Sequence, residues 1–151
     1  MMRQPGQEEV RLQRSITIAN DVEEVPRMSQ FIEEFCEETG LDMSVTMRLN
    51  LAIEEAVVNV IHYAYPPGTV GDVAIEAKAG SHFITFVVRD SGVPFDPTAR
   101  GEVDTTLCVE ERPIGGLGIH LVRQIMDEIC YERLDGQNVL TISKRIEELK
   151  D

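Results

Sequence analysis

The chain has 151 residues, of which 42% are hydrophobic and 27% are charged, a composition typical of one folded globular domain and unlike that of a disordered chain. Its formal net charge of −13 would repel phosphate backbones and anionic lipid headgroups, so neither nucleic acid nor a membrane is expected as a partner. The three cysteines form no CxxC pair and no apolar run is long enough to span a bilayer, so we expect a cytoplasmic protein without a disulfide framework.

The first half of the sequence predicts an edge strand followed by two helices. Residues 1–9 are polar and are expected to be frayed, and a strand-like alternation of apolar and polar residues follows them. Apolar residues at three- and four-residue steps then predict an amphipathic helix with Pro26 in its first turn and Gly40 at its end. A second, longer helix is expected from a cap at Asp42 to about Tyr65.

The second half predicts two hairpins separated by an irregular segment and a helix. The expected strands are residues 72–79, 82–90, 130–134 and 138–143. From about residue 98 to residue 113 the apolar residues show neither helical nor strand-like periodicity. A loop of this length is usually a functional lid or a disordered segment. The glycines at 115–118 open a third helix.

These elements predict an α/β fold, a two-layer α/β sandwich. Its sheet is expected to be mixed but mostly antiparallel, with three helices on one face. The domain is expected to fill residues 10–146, and residues 147–151 would form a short tail.

Glu55 and Asn59 are the first candidates for chemistry, because residues four apart on a helix project from the same face. A glutamate can accept the proton of an attacking hydroxyl. A neutral amide oxygen can complete an Mg²⁺ shell that otherwise consists of phosphates and water. A solvated polar pair is the commoner origin of two such residues when they are considered alone.

Asp90 is the second candidate, because it stands where an apolar strand stops and is followed by Ser91 and Gly92. A carboxylate accepts hydrogen bonds and cannot donate them, so it could recognise the exocyclic amino group of adenine. An ordinary turn that ends a strand is the commoner origin of such a tripeptide.

The third candidate is the cluster of Gly115, Gly116 and Gly118 before an apolar-periodic helix. Glycines there would let phosphate oxygens reach the free backbone N–H groups at the positive end of the helix. The cluster is not a Rossmann fingerprint, since an irregular stretch precedes it, and not a Walker loop, since no Gly-Lys-Ser/Thr follows. A flexible connector would have a similar composition.

In their order and spacing, these three segments resemble the boxes of the GHKL (Bergerat-fold) superfamily of ATPases and kinases. Residues 54–63 resemble the N box, residues 90–97 the first glycine box and residues 115–122 the second. The resemblance covers roughly residues 10–145. Within the superfamily, the chain is most similar to the RsbW-type anti-sigma-factor serine kinases, which are single domains.

The resemblance implies a role for each candidate. Glu55 would be the catalytic base, Asn59 the Mg²⁺ ligand and Asp90 the adenine contact. The further nucleotide-binding positions that it implies are Gly92, Pro94, Phe95, Gly115, Gly116, Leu117, Gly118 and Ile119. His62, close to Asn59 on the predicted helix, is expected to be packed.

Two positions depart from the family pattern. Pro94 stands where many members have a second glycine, and Ile114 stands where some kinase members place an arginine near the γ-phosphate. Arg112, in the predicted lid, is the candidate replacement for that arginine. Without such a cation, ATP binding could persist while phosphotransfer is slow, because charge stabilisation supplies most of the catalysis.

The function implied by the resemblance is that of an ATP- and Mg²⁺-dependent serine/threonine protein kinase. Its substrate would be a small anti-sigma-factor antagonist and its second partner a sigma factor, and homodimerisation is also implied. Two alternatives stay open: a nucleotide-gated protein-binding module without phosphotransfer, and an acidic α/β domain that binds no nucleotide.

Overall fold

The structure, a computed structural model, describes residues 9–100 and 116–146. Its strands are β1 (Leu12–Ala19), β2 (Asp72–Ala79), β3 (Phe83–Asp90), β4 (Glu128–Leu134) and β5 (Gln137–Arg145). Its helices are α1 (Val25–Thr39), α2 (Met43–Tyr63) and α3 (Gly116–Ile125). The element order agrees with the sequence prediction, and the expected domain bounds of 10 and 146 stay a prediction.

The five strands form one sheet in the order β1-β2-β3-β5-β4. β1 lies at an edge, as predicted, and the two predicted hairpins, β2-β3 and β4-β5, are confirmed. All four strand pairings among the described residues are antiparallel, so this part of the chain contains none of the parallel pairing that a mixed sheet would have. In the two hairpins this is required, because strands joined by a short turn must run antiparallel. β1 with β2 and β3 with β5 also pair antiparallel, although helices separate them in the sequence.

Local chemistry sets the helix ends. Gly40 has a φ of 83°, and its N–H donates to the carbonyl oxygens of Cys36 and Glu37, which ends α1. The side chain of Asp42 accepts a hydrogen bond from the backbone N–H of Val45 and so caps α2.

The core lies between the sheet and the helices. One face of the sheet and the inner faces of all three helices bury a single hydrophobic cluster, which confirms the two-layer sandwich. Its largest members are Ile18, Met28, Ile32, Phe35, Leu49, Ile53, Ile75, Ile84, Phe86, Ile119 and Ile142. Phe35 of α1 meets Phe86 of β3 edge to face, with ring centroids 6.3 Å apart. No helix in the described part of the chain is long and apolar enough to cross a membrane.

Candidate functional site

One face of α2 carries Glu55, Asn59 and Tyr63 at successive four-residue steps. Asn59 is 3% exposed, and Glu55 is half-buried. None of the described residues forms a hydrogen bond or ion pair with the side chain of Glu55 or Asn59. The ring of Tyr63 stacks on that of Phe95, with centroids 5.5 Å apart. The Glu55 face of α2 is therefore directed towards the loop that follows β3.

That loop begins at Asp90, whose carboxylate is almost fully buried. Its Oδ1 accepts hydrogen bonds from the N–H of Gly92 and the amide of Asn138, both at 2.9 Å, and no described residue donates to Oδ2. Burial raises the pKa of Asp90, although the hydrogen bonds from Asn138 and Gly92 and the nearby charge of Arg133 act in the opposite direction. Oδ2 is thus available to accept a hydrogen bond from a ligand.

Asn138, on β5 directly opposite Asp90, anchors this loop. Its side-chain nitrogen also donates to the carbonyl oxygen of Val93 at 2.8 Å, so both of its N–H groups are used within the protein. Sequence reasoning did not identify Asn138. The signal that could have found it is a polar residue at a core-facing position of a strand, and that position is known only once the strand register is known.

The amide oxygen of Asn138 accepts three hydrogen bonds. Their donors are the N–H of Phe95 at 3.1 Å, the guanidinium of Arg133 at 3.1 Å and the hydroxyl of Tyr131. Arg133 also donates to the carbonyl oxygen of Gly92 at 2.9 Å. The β4-β5 hairpin therefore fixes both ends of the segment from Gly92 to Phe95.

The C-terminal end of α2 holds the same loop from the other side. The N–H of Val93 donates to the carbonyl oxygen of Ala64 at 2.7 Å. A Cβ placed on Gly92 would lie 2.2 Å from that carbonyl oxygen, so the close approach of the two backbones requires glycine here. Tyr65 adds a third link, because its hydroxyl accepts from the N–H of Ser91 at 3.0 Å and donates to the carbonyl oxygen of Asp72 at 2.7 Å.

α3 begins at Gly116, as predicted, and packs along α2. Gly116, Leu117 and Gly118 form its first turn, where backbone N–H groups have no partner within the helix. The side chain of Ile119 is 1% exposed and belongs to the core, so this residue could contact a ligand only through its backbone.

Several predicted features fall elsewhere. Arg112 and Gly115 lie outside the described residues, as does most of the predicted lid. Pro94 is exposed within the loop that follows β3. His62 is exposed, so the expectation that it is packed was wrong. The side of α2 that carries Val57, Val60 and Ile61 is buried, and His62 lies on the outer surface of the helix.

The residue types at these positions fit an adenine nucleotide with Mg²⁺. Asp90 offers an unused carboxylate oxygen to an amino group, and Asn59 offers a buried amide that has no hydrogen-bond partner among the described residues. No group of three or more His, Cys, Asp or Glu side chains comes together within residues 9–100 and 116–146 to hold a metal. A magnesium ion at Asn59 would therefore take most of its oxygen ligands from phosphates and water.

Comparison with known proteins agrees with this chemistry. Residues 18–144 match the family described as the histidine kinase-like ATPase domain. The chain is 27% identical over 95 residues to the serine/threonine-protein kinase BtrW of Bordetella bronchiseptica, a match that covers 63% of this chain and 67% of BtrW. It is 33% identical over 96 residues to the serine-protein kinase RsbW of Bacillus cereus, and that match covers 61% of this chain and 59% of RsbW.

A solved structure with a similar fold contains the RsbU and RsbW domains of a Mycobacterium tuberculosis protein. The TM-score is 0.63 at 16% sequence identity, and the match covers 93% of this chain and 33% of the other. At this identity the likeness concerns the fold alone, which it confirms.

Proposed function

The chain belongs to the histidine kinase-like ATPase domain family, and we propose that it is an ATP-dependent serine/threonine protein kinase of the anti-sigma-factor type. It binds MgATP, phosphorylates a serine of a small anti-sigma-factor antagonist and thereby regulates a sigma factor. The serine kinase names of BtrW and RsbW support the reaction class. The partners follow from the family resemblance.

One observation carries the proposal. The α2 face with Glu55 and Asn59 continues to Tyr63, whose ring lies against Phe95 of the loop that begins at Asp90. In the proposed complex, Glu55 and Asn59, which suit the phosphate end of a nucleotide, and Asp90, which suits its adenine end, face one bound nucleotide on either side of this contact. The start of α3, which packs beside α2, adds backbone N–H groups suited to phosphate oxygens.

Each residue has a distinct role in the proposed reaction. The carboxylate of Glu55 takes the proton of the serine hydroxyl as the hydroxyl oxygen attacks the γ-phosphorus. The bond from that phosphorus to the β–γ bridging oxygen breaks, and ADP leaves. Asn59 would hold Mg²⁺, which when bound would supply positive charge to the phosphates. Glu55 is suited to accept a proton because no described residue holds its carboxylate in an ion pair.

The test compares Glu55→Gln with Glu54→Gln, a neighbouring half-buried glutamate that points away from Asn59. Calorimetry measures MgATP binding, and labelled γ-phosphate measures transfer to recombinant candidate proteins encoded beside this chain's gene. We expect both variants to bind MgATP like wild type, and we expect only Glu55→Gln to lose transfer, by about 100-fold or more.

Other results would point to a different function. If wild type binds MgATP but phosphorylates no candidate, the chain is a nucleotide-gated protein-binding module. If transfer by Glu55→Gln equals that of wild type, Glu55 is not the base. If MgATP does not raise the melting temperature at high concentration, the chain has no nucleotide site, because a ligand that binds the folded state must stabilise it.

A further inference from the structure

An exposed apolar stripe runs along the N-terminal half of α2. Met43, Met47 and Leu51 follow one another at four-residue steps and are 73%, 65% and 43% exposed. Single exposed apolar side chains are normal on a protein surface, but neighbours on one helix face form a continuous patch, and such patches mark contact sites. Met43, Met47 and Leu51 are called the α2 stripe below.

The α2 stripe leads to the candidate catalytic residue. The next four-residue step after Leu51 reaches Glu55, and the one after it reaches Asn59. From the rise of an α-helix, Leu51 lies about 6 Å and Met43 about 18 Å from Glu55 along the helix axis. Each four-residue step also rotates the side chain by about 40° around the helix axis. The row of side chains therefore shifts gradually from the exposed surface at Met43 towards Glu55 and Asn59. A protein that covers the stripe therefore lies beside Glu55.

The charge around the α2 stripe differs from that of the rest of the chain. Residues 43–53 contain no acidic residue and a single charged one, Arg48, in a chain of net charge −13. Arg48 is exposed and lies three residues before Leu51 and seven before Glu55, which places it on the same side of the helix. The exposed face of α1, by contrast, carries Glu33, Glu34, Glu37 and Glu38. The stripe thus suits a partner with an apolar contact surface and an acidic group opposite Arg48.

We infer that the α2 stripe and Arg48 form the docking surface for the phosphoacceptor protein, an inference that rests on the proposed function. The acceptor hydroxyl must reach Glu55, so the protein that carries it must contact the surface around Glu55. The stripe is the apolar continuation of that surface along α2.

A second copy of the chain fits the α2 stripe less well. A two-fold contact across the stripe would bring Arg48 of the two copies together, and like charges in contact oppose association. It would also close the approach of an acceptor protein to Glu55 in both copies. A contact between copies is therefore an outcome that the test must separate from docking.

The test uses Met47→Glu, Met47→Ser and Arg48→Glu, with Val70→Glu as the matched control. Val70 is 91% exposed and lies beyond the C-terminal end of α2, away from the stripe. The probe is whichever recombinant protein encoded beside this chain's gene is phosphorylated by wild type with labelled ATP. For each variant we measure KM for that protein, kcat, the Kd for MgATP and the melting temperature.

We expect each stripe variant to raise KM for the acceptor protein by about tenfold or more, with kcat and the Kd for MgATP unchanged, because only protein docking is impaired. Val70→Glu should leave KM for the acceptor protein unchanged at saturating MgATP; its Kd for MgATP is measured as well, because Val70 lines the cavity that contains Asp90. Met47→Ser adds no charge, so it keeps the comparison valid if Met47→Glu lowers the melting temperature.

Two results would overturn the inference while the proposed function stands, since wild-type phosphorylation has then been measured. One is a KM for the stripe variants equal to that of Val70→Glu. The other is an unchanged KM together with a smaller assembly in sedimentation, which would make the stripe a contact between copies. If wild type binds MgATP but phosphorylates none of the candidates, the proposed kinase function fails, and the docking inference fails with it.

Discussion

Asn138 donates a hydrogen bond of 2.9 Å to Oδ1 of Asp90, its direct partner across β3 and β5. The N–H of Gly92 donates to the same oxygen, also at 2.9 Å. Oδ2 receives no hydrogen bond from any residue in the described part of the chain. The two oxygens of this carboxylate are thus divided, one held by the protein and the other available to a ligand.

Replacing Asp90 with Asn should weaken MgATP binding without disturbing the loop. The new amide oxygen can keep the hydrogen bonds from Asn138 and Gly92, but an amino group then replaces Oδ2 and opposes the amino group of adenine. We expect a loss of about 2 kcal/mol, roughly 30-fold in Kd, measured by calorimetry. Asp96→Asn, on the same loop, is the control and should bind as wild type does. Equal Kd values for the two variants would remove Asp90 from the nucleotide site.

The same variant should be more stable than wild type at neutral pH in the absence of nucleotide. Burial raises the pKa of Asp90 above its ordinary value of 3.8, so the folded state binds this proton more tightly than the unfolded state does. The contribution of Asp90 to the free energy of unfolding therefore falls as the pH rises from 3.8 through its raised pKa. The asparagine of Asp90→Asn cannot ionise, so the variant does not lose stability in this way.

Thermal unfolding at a series of pH values checks this prediction. The melting temperature of Asp90→Asn should exceed that of wild type at about pH 7, and the difference should shrink towards about pH 4, where the wild-type carboxyl regains its proton. If Asp90→Asn melts below wild type at neutral pH, the interactions of the Asp90 carboxylate fully offset the cost of burying its charge.

Removal of the Asn138 side chain should loosen the whole loop. Asn138→Ala removes five hydrogen bonds and leaves the N–H of Phe95 and the carbonyl oxygen of Val93 without these partners. We expect a loss of about 2 kcal/mol in the free energy of unfolding, which lowers the melting temperature by roughly 4–8 °C. Gln137→Ala is the matched control, because its amide makes one long bond of 3.3 Å to Ser91. Similar melting temperatures for the two variants would mean that Asn138 is not an anchor.

Gly92→Ala tests the contact between the loop and the end of α2. The added Cβ would meet the carbonyl oxygen of Ala64 at 2.2 Å, and since that atom belongs to the backbone, the loop must move. We expect the protein to lose about 2 kcal/mol of stability, as in other overpacked sites, and to bind MgATP more weakly. Denaturant unfolding and calorimetry measure the two effects, with Ser91→Ala as the control. An unchanged stability would show that the two backbones are not held this closely.

The two described cysteines should react very differently with thiol reagents. Burial raises the pKa of the Cys36 thiol to about 11, whereas Cys130 is exposed. Under native conditions, alkylation followed by mass spectrometry should find Cys130 modified and Cys36 protected. Cys36 should become reactive only in denaturant, and its modification at the same rate as Cys130 in the folded protein would contradict its place in the core.

Local sequence chemistry predicted the helices and hairpins well. Gly40 and Asp42 end and begin helices through hydrogen bonds within a few residues, so their roles could be seen in the sequence. The Asp135-Gly136 turn, with positive φ at both residues, is likewise a local signal. Tyr65 was expected at the end of α2 but stands two residues beyond it. Pro66 disfavours helical backbone at the residue before it, and the hydroxyl of Tyr65 donates to the carbonyl oxygen of Asp72.

The support of the candidate site could not be predicted in this way. Asn138 holds Asp90 because β5 pairs with β3, and the sequence does not state which strands become neighbours. Gly92 was predicted as a nucleotide-binding position, and only the structure shows that a Cβ at this residue would meet the carbonyl oxygen of Ala64. The roles given to Glu55, Asn59 and Asp90 stay predictions; the structure adds the stacking of Tyr63, on α2, against Phe95 of the loop that follows β3.

Calorimetric titration of the wild-type protein with MgATP and then with MgGTP tests the central claim most directly. Oδ2 of Asp90 should accept a hydrogen bond from the amino group of adenine but would face the carbonyl oxygen of guanine, which is also an acceptor. We predict one MgATP site per chain and binding of MgGTP weaker by about 30-fold or more. An absence of MgATP binding, or equal affinity for the two nucleotides, would contradict an adenine site at Asp90.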